Sequence, residues 1–457
     1  MYAEREWVAG ESNPGLSEVR TRLAAINRHR SGADDLFATV RQVVVVASSS
    51  RGGSSIFTEI LRRSPELVHC KGEITPFLNL AGLGAGESGY DSDHLAAEAA
   101  GSDNRVRLTI LERELARDLG VNGPVDLRAP GTLTRFRYDL LWRLTCQWPE
   151  LAIAEDFLFA GVDLTLAELV RQHGWPPGEF SDPQLFHVLL LARLRARYPQ
   201  INPWYYDLAP ALIRRHCPTA QIDPAPPSRL LLEEPPFVAI SPSHPATAAL
   251  AAGQTLLIKT PGNVYRLPFL RALFPNARFR VLHLVRHPAE AINGLVDGWL
   301  YHGFFSQYLP DRLRISGYSD HFPDWGRSWW KYDLPPGWQE WAQRPLVEVC
   351  ACQWRAAHQA TLDYLAESGV EHLRIRFEEA LGAPGKRQRA FTEVGNWLGV
   401  DPTPLITAAL GELPPVMATG QPRQNRWFQK AALLEPVLAE KNLRQLAAVM
   451  GYDALHG

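Results

Sequence analysis

The stretch from Val43 to Glu73 constrains the fold of this chain more than any other. Val43–Val46 are four consecutive β-branched apolar residues, the pattern of a strand buried on both faces of a parallel sheet. The loop Ser48-Ser49-Ser50-Arg51-Gly52-Gly53-Ser54-Ser55 follows, then an amphipathic run Ile56–Arg63 that stops at Ser64-Pro65. Strand, small-residue loop and helix start aim backbone N–H groups and the positive end of a helix dipole at one point. Gly52 and Gly53 let the backbone close around an anion, the serine hydroxyls add donors, and Arg51 adds fixed charge. The loop therefore reads as a phosphate cradle; the competing reading is a serine-rich turn without a ligand. It is not a G-x-x-x-x-G-K-[ST] loop, because no lysine follows the glycines and the basic residue precedes them.

Composition narrows the partners. A formal net charge of −2 over 457 residues leaves no global field for nucleic acid or an anionic membrane, so anion binding must come from local loops. No apolar run approaches the ~20 residues of a membrane span, and the acidic start of the chain is unlike a secretory signal. Five scattered cysteines indicate neither a disulfide framework nor a zinc knuckle. The expectation is a cytoplasmic protein with no metal site; its oligomeric state is open.

Taken in order, residues 1–40 read as an N-terminal arm with one helix around Leu16–Asn27, and 41–457 as a single α/β domain. After the short strand Leu67–Cys70, the stretch about 85–250 reads as a helical insertion: Arg105–Leu119, Thr132–Cys146, Leu164–His173 and Leu185–Tyr198 carry apolar residues at helical spacing. Strands resume at Thr255–Lys259, Phe279–Val285 and His372–Phe377, interleaved with helices at Tyr265–Leu273, Ala289–Trp299, Leu346–Ala366 and Lys386–Leu398. This alternation argues a mostly parallel sheet flanked by helices, with the helical stretch inserted between two of its strands. The segment about 299–345 is rich in aromatics and is a core, a lid or a platform for a sugar or lipid.

Three motifs in sequence resemble the sulfotransferases that use 3′-phosphoadenosine 5′-phosphosulfate, and the bacterial and carbohydrate types more than the cytosolic phenol and steroid types. The loop matches S-x-[RK]-[SG]-G-[ST]-[ST]. Arg286-His287-Pro288, leaving a strand, resembles the R-x-P motif whose arginine holds the nucleotide 3′-phosphate. The family places a serine eight residues later; here that position is Gly294, preceded by Asn293, so Asn293 or a neighbouring backbone amide must substitute. Lys259-Thr260-Pro261 resembles K-[ST]-P and lacks the histidine that serves other members as base. Glu73, 22 residues after Arg51, stands where carbohydrate-type members carry a deprotonating glutamate. A late basic loop, Gly420–Trp427, supplies Arg423 and Arg426.

The resemblance implies a P-loop-like fold and transfer of a sulfuryl group to a hydroxyl of a bulky metabolite, glycan or lipid. It implies Glu73 as base, Arg51 and Lys259 as charge stabilisers, and Ser50, Arg51, Gly52, Gly53, Ser54, Ser55, Arg286, Asn293, Arg423 and Arg426 on the nucleotide. His287 and His302 are rival bases. The alternatives are a P-loop-type small-molecule kinase, which needs magnesium and an acidic residue closing a strand, and a catalytically silent nucleotide- or glycan-binding protein.

Overall fold

The computed structural model describes residues 14–452 apart from 87, 88, 414, 422 and 424. At its centre is a seven-stranded sheet of order β4-β3-β2-β5-β1-β6-β9. Its strands are β1 (Gln42–Ala47), β2 (Leu67–Cys70), β3 (Leu119–Val121), β4 (His244–Pro245), β5 (Thr255–Lys259), β6 (Arg278–Val285) and β9 (Glu371–Arg376). β2, β5, β1, β6 and β9 run parallel, with Val46 opposite Lys259 on one side and Leu282 on the other. Val43, Val44 and Val45 have no exposed surface, as expected of a strand covered on both faces.

The parallel register puts the carboxyl ends of β2, β5, β1 and β6 along one edge. The chain leaves β1 towards β2 on one side and reaches β6 on the other, so the loop after β1 sits where the strand order reverses. Open α/β sheets bind their ligands there.

The helical stretch between β2 and β5 carries helices Arg105–Asp118, Thr132–Gln147, Glu155–His173 and Pro183–Leu194. It also contributes β3 and β4, an antiparallel extension of the sheet edge. At three and two residues these strands are too short for alternation to reveal them, and Leu119, expected as the last residue of a helix, begins β3 instead. The helix Pro14–Ile26 buries Leu16, Val19, Leu23 and Ile26 in the same core as this stretch.

The aromatic segment forms a second core. It folds over the helix Pro288–Trp299 as a two-stranded ribbon, β7 (Phe305–Tyr308) and β8 (Trp329–Lys331). Trp299, Trp330 and Trp338 are almost fully buried, and Trp299 meets Tyr318 and Trp330 edge to face at 4.7 and 5.1 Å. Among the described residues, no helix is long and apolar enough to cross a membrane.

Candidate functional site

The loop after β1 turns on residues whose backbone or lack of a side chain is specific to the turn. A Cβ on Gly52 would lie 2.2 Å from Ser48 Oγ, and one on Gly53 (φ +88) would lie 2.1 Å from the Phe377 ring. Gly53 caps the helix Ser54–Leu61 without a side-chain acceptor, so the amides of its first turn face the loop unspent. Ser48 and Ser49 are buried with hydroxyls that have no partner among the described residues. A buried hydroxyl without a partner is costly, and two of them on one loop fit an anion-binding cradle.

Lys259 closes β5 and reaches across the loop's helix. Its Nζ donates to Ser55 Oγ at 3.0 Å and to Glu73 Oε1 at 2.5 Å. The lysine side chain is 7% exposed and the glutamate 31%. Glu73 is held by its neighbours: the Ile74 amide donates to Thr260 Oγ1 at 3.0 Å, and Arg62 binds the carbonyls of Cys70 and Gly72. Its second carboxylate oxygen has no partner among the described residues. Thr260 is thus a positioning group, although the sequence marked it only as part of a motif.

Arg286 leaves β6 behind the loop. Its guanidinium donates to the Arg51 carbonyl at 3.0 Å, lies 4.5 Å over the Phe377 ring and is 3.6 Å from Glu290. Among the described residues its Nε is buried without a partner, as is Asn293 Oδ1 seven residues further along the chain. Arg51 adopts φ +59, donates to the Met417 carbonyl at 2.5 Å and stacks 5.3 Å over Phe304. Gly294 lies against the same residue: a Cβ there would approach Arg51 Cβ to 3.2 Å, a tight contact that a serine makes only if Arg51 gives by a few tenths of an ångström.

Loop, Lys259, Glu73 and Arg286 therefore converge at one edge of the sheet. The late loop contributes less directly. Arg426 pairs with Asp297 at 2.8 Å and Arg423 is exposed. His287 packs against Trp427 and Tyr452. His302 stacks on Tyr301 at 3.9 Å, and burial together with Lys331 pushes its imidazole down to about 4.

Three carboxylates near the site carried no sequence motif. Asp333, beyond β8, accepts the Ser50 hydroxyl and the Tyr265 hydroxyl, the latter at 2.9 Å. Ser50 has therefore spent its proton inside the protein, which leaves Ser48 and Ser49 with the free hydroxyls. Glu234 is pushed well up by burial first and by Glu73 second. Asp207 takes the Met417 amide on both oxygens at 3.0 Å. Among the described residues no group of acidic, histidine and cysteine side chains is arranged to hold a metal ion.

No family model and no curated protein sequence matches the chain. Among solved structures it is similar to three sulfotransferases. One is the domain from the Synechococcus PCC 7002 olefin synthase, at 12% identity and TM-score 0.32, covering 93% of this chain and 99% of that one. Another is the domain from the curacin biosynthetic pathway, at 12% identity and TM-score 0.31, covering 90% and 98%. The third is STF9 from Mycobacterium avium, at 11% identity and TM-score 0.34, covering 93% and 82%. At such scores the side chains, not the alignments, must carry the functional reading.

Proposed function

We propose that the chain is a sulfotransferase that uses 3′-phosphoadenosine 5′-phosphosulfate and modifies a hydroxyl of a bulky metabolite, glycan or lipid. The observation that carries this reading is the Ser55–Lys259–Glu73 chain at the mouth of the anion loop. The donor supplies an activated sulfuryl group and an anionic leaving phosphate. The residues that would hold it are the Gly52–Ser55 backbone, the Ser48 and Ser49 hydroxyls, and Arg286 with Asn293 for a second phosphate.

The protein's own tasks follow from charge. Glu73 has one oxygen committed to Lys259, which leaves the other to take the acceptor's hydroxyl proton. Such general-base help is worth about 10²–10⁴-fold. Lys259, already beside Ser55, is placed to neutralise charge as it develops on the leaving oxygen, a contribution of about 10²–10³-fold for a preorganised donor. Arg51 reaches the same charge only by leaving Met417.

The extended acceptor is favoured by the walls. The Phe304 amide bonds the Pro235 carbonyl and the Phe304 ring lies under Arg51, so the aromatic and helical segments meet beside the loop. A cytoplasmic location belongs to the same proposal, in keeping with five free cysteines.

The test is thermal stabilisation by 3′-phosphoadenosine 5′-phosphate without magnesium, followed by turnover with labelled donor. A shift with magnesium and ATP but none with the bisphosphate overturns the reading in favour of a kinase. Binding without turnover on any acceptor favours a silent binding protein. Simple phenols turning over as well as extended acceptors would remove the bulky-acceptor part alone.

A further inference from the structure

Asp333 is a buried carboxylate beside a loop built for anions, an arrangement that electrostatics disfavours. Much of the surrounding structure serves to keep it there. Its backbone carbonyl takes Trp330 Nε1 at 2.9 Å and Gln353 Nε2 at 2.8 Å. The preceding residue, Tyr332, adopts φ +63, a region that a bulky side chain enters only under constraint. The Tyr332 ring stacks on Phe304 at 4.7 Å, and a Cβ on Gly298 would lie 1.5 Å from its hydroxyl. The helix Pro288–Trp299 thus keeps a glycine where the tyrosine must lie.

The two carboxylate oxygens of Asp333 have different clients. One takes the Ser50 hydroxyl of the anion loop. The other takes Tyr265, in the turn that follows Lys259-Thr260-Pro261. Asp333 comes from the aromatic segment, and Ser50 lies 283 residues away. One side chain ties the loop, the turn after Lys259 and the aromatic core together.

We propose that Asp333 is a positioning residue: through Ser50 it sets the conformation in which the loop's amides face the anion. It touches no phosphate and transfers no proton. By spending the Ser50 hydroxyl it also keeps that side chain out of the cradle. The proposal concerns the loop itself, and only its consequence for donor affinity rests on the sulfotransferase reading.

The experiment is a cycle of Asp333→Asn, Ser50→Ala and the double variant, in the full chain. Amide hydrogen exchange of residues 52–56 is measured without ligand, and affinity is measured for 3′-phosphoadenosine 5′-phosphate. Each single variant is expected to raise loop exchange and weaken the bisphosphate about tenfold, the scale of one hydrogen bond to a charged group. The double variant is expected to lose no more than either single, because the two residues act as one unit. The loss should fall on the donor's KM and leave the acceptor's KM in place. Unchanged loop exchange in the single variants, or losses that simply multiply, would overturn the proposal. Coupled loop exchange in a protein that fails to bind the bisphosphate would uphold it and sink the donor reading instead.

Discussion

Lys71 and Glu73 are two residues apart and live in different electrostatic worlds. Lys71 is 4% exposed; its Nζ pairs with Asp139 at 3.1 Å, and its amide donates to Asp118 at 2.8 Å. Around it, Arg30 holds Asp139, and Arg143 bridges Asp118 and Glu233 at 2.6 and 3.2 Å. Every member is buried and every charge is answered. Among the described residues the Glu73 carboxylate has one partner, Lys259, and its side chain is 31% exposed. The adjacent glutamates repeat the division: Glu233 belongs to the closed network, while Glu234 is pushed up by burial and by the charge of Glu73.

The contrast teaches how a site is recognised. A buried network with all partners in place is architecture, and here it supports the turn that presents Glu73. The Gly72 position shows the contact, since a Cβ there would lie 3.0 Å from Arg143. A pair with one oxygen unspent and a path to solvent is what chemistry requires. The closed region should therefore govern stability and the open pair turnover.

Acid offers the widest separation. Burial holds His69 down to about 4 and His187 and His358 to about 3. A folded value below the unfolded one means that stability is complete above pH 6.5 and lost as pH falls towards the folded values, at about 1.4 kcal/mol per unit of displacement. Asp207 and Asp333, both pushed up to about 6 by burial, and Glu234, pushed well up, titrate in the opposite sense and soften the fall, while His283, held well down by burial, adds to it. The histidines are displaced further, so the protein is expected to unfold cooperatively between pH 6.5 and 4. Circular dichroism across that range checks it, and a fold that persists below pH 4 would contradict this balance.

Arg143→Met comes next. It strands Asp118 and Glu233 without their cation, and breaking a buried pair costs about 3–5 kcal/mol. Chemical denaturation reads the loss. A cost under about 1 kcal/mol would show that the network is not the closed unit described.

Glu73→Gln should reverse the pattern. The amide keeps the shape but cannot take a proton, so turnover is expected to fall about 10²–10⁴-fold. Stability should move by no more than about 1 kcal/mol, as for other partly exposed positions. Near-normal turnover in this variant, with activity lost in His302→Ala or His287→Ala, would transfer the role to that histidine.

The smallest effect sharpens the open side. Gly294→Ser restores the hydroxyl that the resemblance leads one to expect, but its Cβ meets Arg51. Overpacking of this kind typically costs about 1–3 kcal/mol, and donor affinity should drop severalfold rather than rise. Tighter binding of the bisphosphate would show that Arg51 yields easily and that the serine's contact was merely missing.

Much of this molecule is determined locally. The spans β2 and β5 follow directly from short apolar runs bounded by turns, and the main helices follow from apolar spacing to within a few residues, the exception being Glu155–His173, of which only Leu164–His173 was legible. Local backbone chemistry also determines the loop after β1, since Gly52 and Gly53 announce a close approach before any partner is known. That Lys259 and Glu73 belong to one site was legible only through the resemblance of their motifs, and their pairing across 186 residues is visible only in the structure. What the tertiary structure alone decided was the identity of the silent partners. Asp333 sits in an aromatic run with no pattern around it, and β3 and β4 are too short to have one. Nothing local distinguishes Lys71 from Glu73 as closed and open, because burial depends on which distant side chains arrive. Arg51 and Gly294 lie in close contact for the same reason: strand order brings their elements together, and the resulting tightness is a property of space, not of sequence.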